Sequence, residues 1–143
     1  MSVIVYGDTF TAMGERIVSF IRENSPFDTE FFISWDMFLT RIRKMRYDIH
    51  FAVLCLAVPT DMERLQKEAE ELRGLRLLII PFEYTREIVS LLHCVGPRYI
   101  SEGVSDFQEV FVRMISKHFP EVNLEADLKP TIPMKRVKSR NST

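Results

Sequence analysis

The stretch DIHFAVLCLAVPTDME, residues 48–63, predicts a buried strand, a turn and the start of a helix. Residues 51–58 are uniformly apolar, without the alternation of a half-exposed strand, and such runs are typical of a parallel strand covered on both faces. Pro59 cannot donate a hydrogen bond to a neighbouring strand, so we expect the strand to end before it. Thr60 and Glu63 have the spacing of a helix capping box. The stretch therefore predicts an α/β protein with this strand at its centre.

Apolar runs alternate with amphipathic segments along the rest of the chain. Alternation at this spacing is typical of a parallel sheet with right-handed crossovers and helices on both faces. We therefore predict a three-layer α/β/α fold with five helices and five parallel strands in the flavodoxin-like order 2-1-3-4-5. The predicted strands are residues 3–6, 30–33, 51–58, 75–80 and 98–101.

Positive charge is concentrated near the end of the chain. The net charge is −1, with 19 Lys and Arg residues against 20 Asp and Glu residues. Residues 129–143 contain no acid and five basic residues, Lys129, Lys135, Arg136, Lys138 and Arg140. All 20 acidic residues therefore lie in residues 1–128, together with the other 14 basic residues. We expect residues 1–120 to form one domain and residues 121–143 to form a flexible, basic, proline-containing tail or linker.

Several protein classes are disfavoured by composition. No apolar run reaches the roughly 20 residues that a membrane-spanning helix needs, and the N-terminal residues lack the basic region of a secretory signal. Cys55 and Cys94 lie in apolar surroundings, which favours reduced thiols over a disulfide. His50, His93 and His118 share no metal-ligand spacing, so we expect surface or interfacial histidines. We predict a cytoplasmic protein without a metal or cofactor.

The segment LLHCVGPRYISEGVSDFQEVF, residues 91–111, resembles the response-regulator receiver pattern. In that pattern the fourth helix is followed by a glycine turn, an aromatic residue in the fifth strand and the fifth helix. Gly96 and Tyr99 stand at the matching positions, and the turn at Pro59 fits the central strand of a receiver. The resemblance covers roughly residues 2–119 and implies the CheY-like version of the predicted fold. Within it, Ser105 and Gln108 have capping-box spacing for the last helix.

The receiver resemblance implies a chemistry that most of the matching residues lack. A receiver holds a divalent cation with an acidic pair, accepts a phosphoryl group on Asp, and contacts that group with Ser or Thr and with Lys. The corresponding residues here are Gly7 and Asp8 for the acidic pair, Cys55 for the acceptor, Pro81 for the hydroxyl and Glu102 for the lysine. Four of the five positions therefore depart from the family. We predict a pseudo-receiver that is not an enzyme and is not switched by aspartyl phosphorylation.

Two residues of the central strand are candidates for the phosphoacceptor position of the receiver pattern. Counting back from Pro59 gives Cys55, whereas counting forward from Asp48 gives a position nearer Val53. Residues 49–60 contain no acid, so the absence of an acceptor holds for either register.

Three residues have both a chemical and a structural interpretation, and we favour the structural one for each. Asp8 is a remnant metal ligand or a turn residue near the first helix. Asp61 is a displaced phosphoacceptor or a residue that stabilises a helix start through its dipole. Cys55 is a reactive thiol or a core residue whose pKa is raised by apolar surroundings.

The favoured function is protein interaction. In receivers the aromatic residue at the Tyr99 position moves as the face formed by the fourth helix, fifth strand and fifth helix changes partners. The resemblance therefore implies a signalling or scaffold domain that binds a protein, or a second copy of itself, through that face. The predicted interface residues are Tyr99, Ile88, Leu92, Phe107 and Phe111.

Two alternatives remain open. The basic tail favours a nucleic-acid-associated transcription regulator that binds through Lys135, Arg136, Lys138 and Arg140. The basic cluster at residues 41–46 is expected to be a solvated face instead. A flavin or small-ligand site at the switch point between strands 1 and 3 would use the hydroxyls of Thr9 and Thr11. The bulk of Phe10 and Met13 argues against that site, because small residues normally let the backbone approach the phosphate.

Overall fold

A five-stranded, wholly parallel sheet forms the centre of the computed structural model, which describes residues 2–118. The strand order is β2-β1-β3-β4-β5, as predicted from the sequence. The strands are β1 (Ser2–Tyr6), β2 (Asp28–Phe32), β3 (Ile49–Leu56), β4 (Leu77–Pro81) and β5 (Tyr99–Ile100). The predicted tail lies outside the described residues, and with it Lys135, Arg136, Lys138 and Arg140.

Helices cover both faces of the sheet and confirm the predicted three layers. They are α1 (Ala12–Asn24), α2 (Trp35–Lys44), α3 (Pro59–Lys67), α4 (Ala69–Leu72), α5 (Arg86–Leu92) and α6 (Val104–His118). Hydrophobic residues of α1 and α6 pack on one face, and those of α2, α3, α4 and α5 pack on the other. In the part of the chain described, no helix combines the length and apolarity needed to cross a membrane.

The described chain has six α-helices instead of the predicted five. The third predicted helix is divided at Glu68, whose backbone angles (φ −106°, ψ 24°) leave the α-helical region. The chain then forms the single turn of α4, which buries Ala69 and Leu72 against the sheet.

Strand β3 is buried on both faces, which explains its uniformly apolar sequence. Because side chains alternate along a strand, Phe51, Val53 and Cys55 face the layer of α1 and α6. Leu54 and Leu56 belong to the opposite core cluster. The strand ends at Leu56, two residues before the predicted end.

The two predicted capping boxes are wrong, because both helices begin earlier than expected. Helix α3 starts at Pro59, which places Thr60 inside the helix. Helix α6 starts at Val104, so Ser105 is likewise inside its helix. Acidic side chains at the helix starts bind backbone N–H groups instead, and Asp106 accepts from the N–H of Glu102 at 3.1 Å. Ser34 caps α2, since its hydroxyl accepts from the N–H of Met37 at 3.3 Å.

Candidate functional site

All five strands end at one edge of the sheet, called here the carboxyl edge, where α/β proteins place their ligand sites. Cys55 lies beside Gly7 at this edge, because a Cβ atom built on Gly7 would be 3.5 Å from Cys55 Cβ. Val53 pairs with Val5, two residues further from the strand ends. Cys55, and not Val53, is therefore the β3 residue that lies level with Gly7 at the carboxyl edge.

The Cys55 thiol is fully buried in the core cluster shared with α1 and α6. Burial, followed by the negative charges of Asp61 and Asp8, raises the pKa of Cys55 to about 12. A thiol with this pKa stays protonated at neutral pH and is a poor nucleophile. The arrangement thus fits the core interpretation of Cys55.

Asp8 makes hydrogen bonds within the loop that joins β1 to α1. Its Oδ1 accepts from the N–H of Phe10 at 2.9 Å, and its carbonyl accepts from the Thr11 hydroxyl at 2.7 Å. The same Thr11 hydroxyl oxygen accepts from the N–H of Gly14 at 2.9 Å and caps α1. Asp8 therefore has the local contacts of a turn residue. Thr11, one of the hydroxyls assigned to the flavin alternative, both donates and accepts within the loop.

The other two receiver positions carry no phosphate-binding group. Pro81 is the buried last residue of β4 and pairs with Leu56. Glu102 is exposed after β5, and its backbone N–H donates to Asp106 Oδ2. Within residues 2–118, no three His, Cys, Asp or Glu side chains are grouped closely enough to hold a metal ion.

A buried polar network at this edge was missed in the sequence. Asp61 is only 2% exposed, and its Oδ1 accepts from the Tyr6 hydroxyl at 3.0 Å and from Arg64 Nη1 at 3.2 Å. Its Oδ2 accepts from the N–H of Val58 at 3.3 Å. A buried carboxylate is tolerated only when it is bonded in this way. The available signal was the polar Tyr6 at the end of an apolar strand, together with the Asp61 and Arg64 pair at helical spacing.

Tyr6 links this network to the aromatic packing under α2. Its ring packs edge-to-face on Trp35 with centroids 5.0 Å apart. Burial, with the charge of Asp61 and the hydrogen bond to it, raises the pKa of Tyr6 to about 12. In the unfolded chain the Tyr6 hydroxyl loses its proton near pH 10.0, whereas in the folded chain it keeps the proton until about pH 12. The stability that this difference in pKa contributes is therefore fully present below pH 10 and is lost between pH 10 and about 12.

Replacing Tyr6 with Phe is expected to cost about 1–2 kcal/mol at pH 8, because Asp61 loses a hydrogen-bond donor. Above pH 10 the wild type loses the stability that comes from the raised pKa of Tyr6, which the variant lacks. The difference between the two free energies of unfolding should therefore shrink by up to about 1.4 kcal/mol per pH unit. Urea unfolding at pH 8, 9, 10 and 11 would measure it. A difference that stays constant over this series would contradict the raised pKa of Tyr6. The ionisation of Cys55 is common to both proteins and cancels from the comparison.

Exposed hydrophobic side chains line the carboxyl edge, one in each of the loops that follow β1 to β4. Phe10 is 89% exposed and Tyr84 is 47% exposed, and Ile33 and Val58 are also exposed. We call these four residues the apolar rim. Beside Ile33 lies a cavity of about 410 Å³, lined by Ile33, Ser34, Trp35, Asp36, Arg64, Lys67 and Glu68.

The loops that carry the apolar rim are acidic. They contain Asp8, Glu83 and Glu102 and no Lys or Arg. The loops are residues 7–11, 33–34, 57–58, 82–85 and 101–103. A surface with exposed hydrophobic groups and negative charge suits a protein segment that carries hydrophobic and basic side chains.

Three of the predicted interface residues are in the core. Leu92, Phe107 and Phe111 are fully buried, so they cannot contact a partner in this structure. The apolar stripe of a helix faces the sheet when a sheet is available, and the same stripe was assigned to the interface from the sequence. Tyr99 and Ile88 are half-buried and also pack against the two core clusters. The exposed hydrophobic residue on α5 is Leu91.

The basic cluster at residues 41–46 is largely paired. Arg41 Nε contacts Glu30 at 2.8 Å, and Arg43 Nε contacts Glu71 at 2.5 Å. The Arg43 pair lowers the pKa of Glu71 through a hydrogen bond to the carboxylate. These contacts join α2 to neighbouring elements, so the cluster is more than a solvated face.

Two of the three histidines have described side chains. His50 is half-buried and stacks at a tilt on Phe27, with ring centroids 4.9 Å apart. His93 is exposed in a short 3-10 turn after α5. The side chain of His118 lies outside the described part.

Comparison with known proteins supports the fold and leaves the family undefined. No protein-family model matches the chain, and no curated protein sequence matches it. A similar solved structure is the crystal structure of a "putative pilus assembly-related protein" from Burkholderia pseudomallei. The two have a TM-score of 0.61 and 6% identity, over 82% of this chain and 90% of that chain. The five-stranded parallel α/β fold is compatible with a receiver-like domain.

Proposed function

We propose that this chain is a non-catalytic pseudo-receiver that acts as a regulatory protein-interaction domain in signalling or scaffolding. The observation that supports this most directly is Cys55, a fully buried thiol at the position that corresponds to the phosphoacceptor. Phosphoryl transfer to this position would need an accessible acid and nearby positive charge. The nearby ionised groups that act on the Cys55 thiol are instead the carboxylates of Asp61 and Asp8.

The proposed binding surface is the apolar rim with its acidic loops. Exposed hydrophobic side chains at a sheet edge are costly to leave in water and mark interaction sites. Phe10 and Tyr84 are aromatic, the residue type that most often anchors interfaces. Because Asp8, Glu83 and Glu102 lie in the same set of loops, the proposed partner is a protein segment with hydrophobic and basic side chains.

A synthetic peptide of residues 129–143 has this chemistry and is a suitable probe. It combines Ile132, Met134 and Val137 with five basic residues. We expect it to bind a chain of residues 1–128, measured by fluorescence anisotropy, and to bind less tightly as salt is raised. The shorter chain retains both core clusters, which consist of residues between Val3 and Ile115. The full chain should bind the peptide equally or more weakly, because its own tail competes.

The double substitution Phe10→Ser and Tyr84→Ser should weaken peptide binding about 100-fold, since two interface anchors are lost. Tyr47→Ser is the control, because Tyr47 is an aromatic residue about as exposed as Phe10 and lies at the other edge of the sheet. Circular dichroism would establish that all variants are folded. No peptide binding, or equal loss in the rim and control variants, would refute the proposed surface.

A second candidate function, nucleic-acid association, is favoured by the basic residues of the tail and by the opposite edge of the sheet, called here the amino edge. Helix α6 runs from the carboxyl edge back toward the amino edge, where the described part of the chain ends. The loops entering β3, β4 and β5 contain Arg46, Arg73, Arg76 and Arg98. On this proposal nucleic-acid binding would fall steeply with salt and vanish on deleting residues 129–143.

A further inference from the structure

The cavity beside Ile33 has charged side chains of both signs in its lining. Its volume of about 410 Å³ is within the range of small-molecule sites in proteins, roughly 300–1,000 Å³. The lining residues come from two places in the chain, the segment that leads from β2 into the first turn of α2 and the last turn of α3. The residues at the receiver positions are not among them, so a ligand here would have no part in phosphoryl transfer.

One face of α3 carries the charges on one side of the cavity. Arg64, Lys67 and Glu68 are three and four residues apart, a spacing that places side chains on the same face of a helix. Arg64 Nη1 donates to Asp61 Oδ1 at 3.2 Å and to the Tyr6 hydroxyl at 3.4 Å. The buried network therefore holds one nitrogen of the guanidinium. Its other nitrogens have no hydrogen-bond partner among the described residues.

Lys67 and Asp36 provide opposite charges from two different helices. Both side chains are exposed, and neither forms an ion pair within the described chain. The charge of Asp36 acts on Arg43 without a contact between them. Glu68 has closer partners, Arg43 at 3.8 Å and the carboxyl group of Glu71. A cation at Lys67 and an anion at Asp36 are therefore available to a ligand that carries both charges.

Ile33 and Trp35 add apolar surface to the same lining. The Ile33 side chain is 54% exposed, so a ligand with an aliphatic group could remove part of it from water. Trp35 is only 7% exposed, and its buried indole N–H has no acceptor among the described residues. Buried donors are normally bonded. A carboxylate bound against Trp35 would supply an acceptor that the described chain lacks.

We propose that this cavity binds a small zwitterion of the amino-acid class with an aliphatic side chain. The carboxylate of the ligand lies on Arg64 and Lys67, its ammonium group lies on Asp36, and its side chain covers Ile33. A phosphate or a dicarboxylate would place negative charge beside Asp36, and a diamine would place positive charge beside Lys67, so one charge of each sign fits best. The same chemistry occurs in a free amino acid and in a dipeptide.

Trp35 is the only tryptophan of the chain, so its fluorescence reports on this cavity directly. We expect a saturable change in that fluorescence when the full chain is titrated with leucine or with leucylleucine, and the tighter ligand identifies a free amino acid or a dipeptide as the source. N-acetylleucine lacks the ammonium group and leucinamide lacks the carboxylate. Each should bind at least about tenfold more weakly than leucine, because one set of charge-assisted contacts is lost.

Two substitutions assign the two charges of the ligand to residues. Lys67→Gln and Asp36→Asn should each weaken binding of the zwitterion at least about tenfold. The Lys67 variant should discriminate less against leucinamide, and the Asp36 variant should discriminate less against N-acetylleucine. Lys117→Gln, on α6, and Glu87→Gln, in the first turn of α5, are the charge-matched controls and should have no effect. Circular dichroism would establish that every variant is folded.

The proposal is independent of peptide binding at the apolar rim, so Phe10→Ser with Tyr84→Ser should leave zwitterion binding unchanged. The proposal is overturned if millimolar leucine and leucylleucine change neither the Trp35 fluorescence nor the heat measured by isothermal titration. It is also overturned if N-acetylleucine and leucinamide bind as tightly as leucine, or if the control substitutions weaken binding as much as Lys67→Gln and Asp36→Asn do.

Discussion

Replacing Cys55 with aspartate, which restores the acceptor residue of a receiver, is expected to destabilise the domain by about 4 kcal/mol and to create no phosphorylation site. The Cys55 side chain is fully buried beside Val53 and Ile80 in an apolar cluster. A carboxylate there would be desolvated and would face the charges of Asp8 and Asp61, which already act on the thiol. In a working receiver a cation and a lysine offset such charges, whereas this chain has Glu102 at the lysine position.

The destabilisation by Cys55→Asp should depend on pH. A buried carboxyl has a raised pKa, so the folded variant holds a proton that the unfolded chain releases near pH 4. Its stability therefore falls as pH rises from about 4 toward the folded-state pKa. Urea unfolding should show a smaller loss at pH 5 than at pH 8. Cys55→Ala is the control, with a loss of about 1–2 kcal/mol for the missing sulfur and the same value at both pH values.

Intact mass spectrometry after incubation with acetyl phosphate and Mg²⁺ completes the test of the degenerate pocket. We expect neither wild type nor Cys55→Asp to gain a phosphoryl group. A stable aspartate variant that becomes phosphorylated would show that the surrounding residues still form a working receiver site, and the pseudo-receiver proposal would fail.

The features of the fold that depend on which residues are buried could be predicted from the sequence. The apolar run of β3 predicted a central strand because both of its faces are covered. Alternation of strands and helices then gave the strand order, since right-handed crossovers leave few ways to arrange five parallel strands.

What the sequence left unresolved depends on contacts between distant segments. Leu92, Phe107 and Phe111 have the same spacing whether the stripe faces a sheet or a partner, and only the packed sheet distinguishes the two. Asp61 looks like an exposed residue at a helix start until Tyr6, 55 residues away in sequence, closes over it. The apolar rim consists of single residues in separate loops, which lie at one edge of the sheet only because the strands are parallel.

Replacing Gly14 with Ala is expected to destabilise the domain by about 3 kcal/mol, although alanine has a higher helix propensity than glycine. Alanine is favoured over glycine by about 1 kcal/mol inside a helix, so propensity alone predicts a gain. A Cβ atom on Gly14, however, would lie 2.1 Å from the Asp8 carbonyl oxygen and 2.8 Å from Thr11 Oγ1. Real atoms do not approach this closely, and the Asp8 carbonyl belongs to the backbone of a turn, so it cannot rotate away as a side chain could.

The loop of residues 7–11 would have to move off helix α1. That movement breaks the bonds from Thr11 to the Asp8 carbonyl and removes the Thr11 cap, with losses of about 1 kcal/mol each. Gly96→Ala is the control: its φ is +61° and nothing lies within 4 Å of the added Cβ, so only backbone strain of about 1 kcal/mol is expected. Urea unfolding compares the two substitutions.

Phe10 belongs to the loop that Gly14 holds in place, so this substitution also connects stability with the proposed function. Displacing the loop moves Phe10 away from the other residues of the apolar rim, and Gly14→Ala should therefore weaken binding of the 129–143 peptide, whereas Gly96→Ala should not. An alanine variant that is as stable as the wild type and binds the peptide normally would show that the loop is free to relax. In that case the close approach of Asp8 to Gly14 would not be what holds Phe10 at the carboxyl edge.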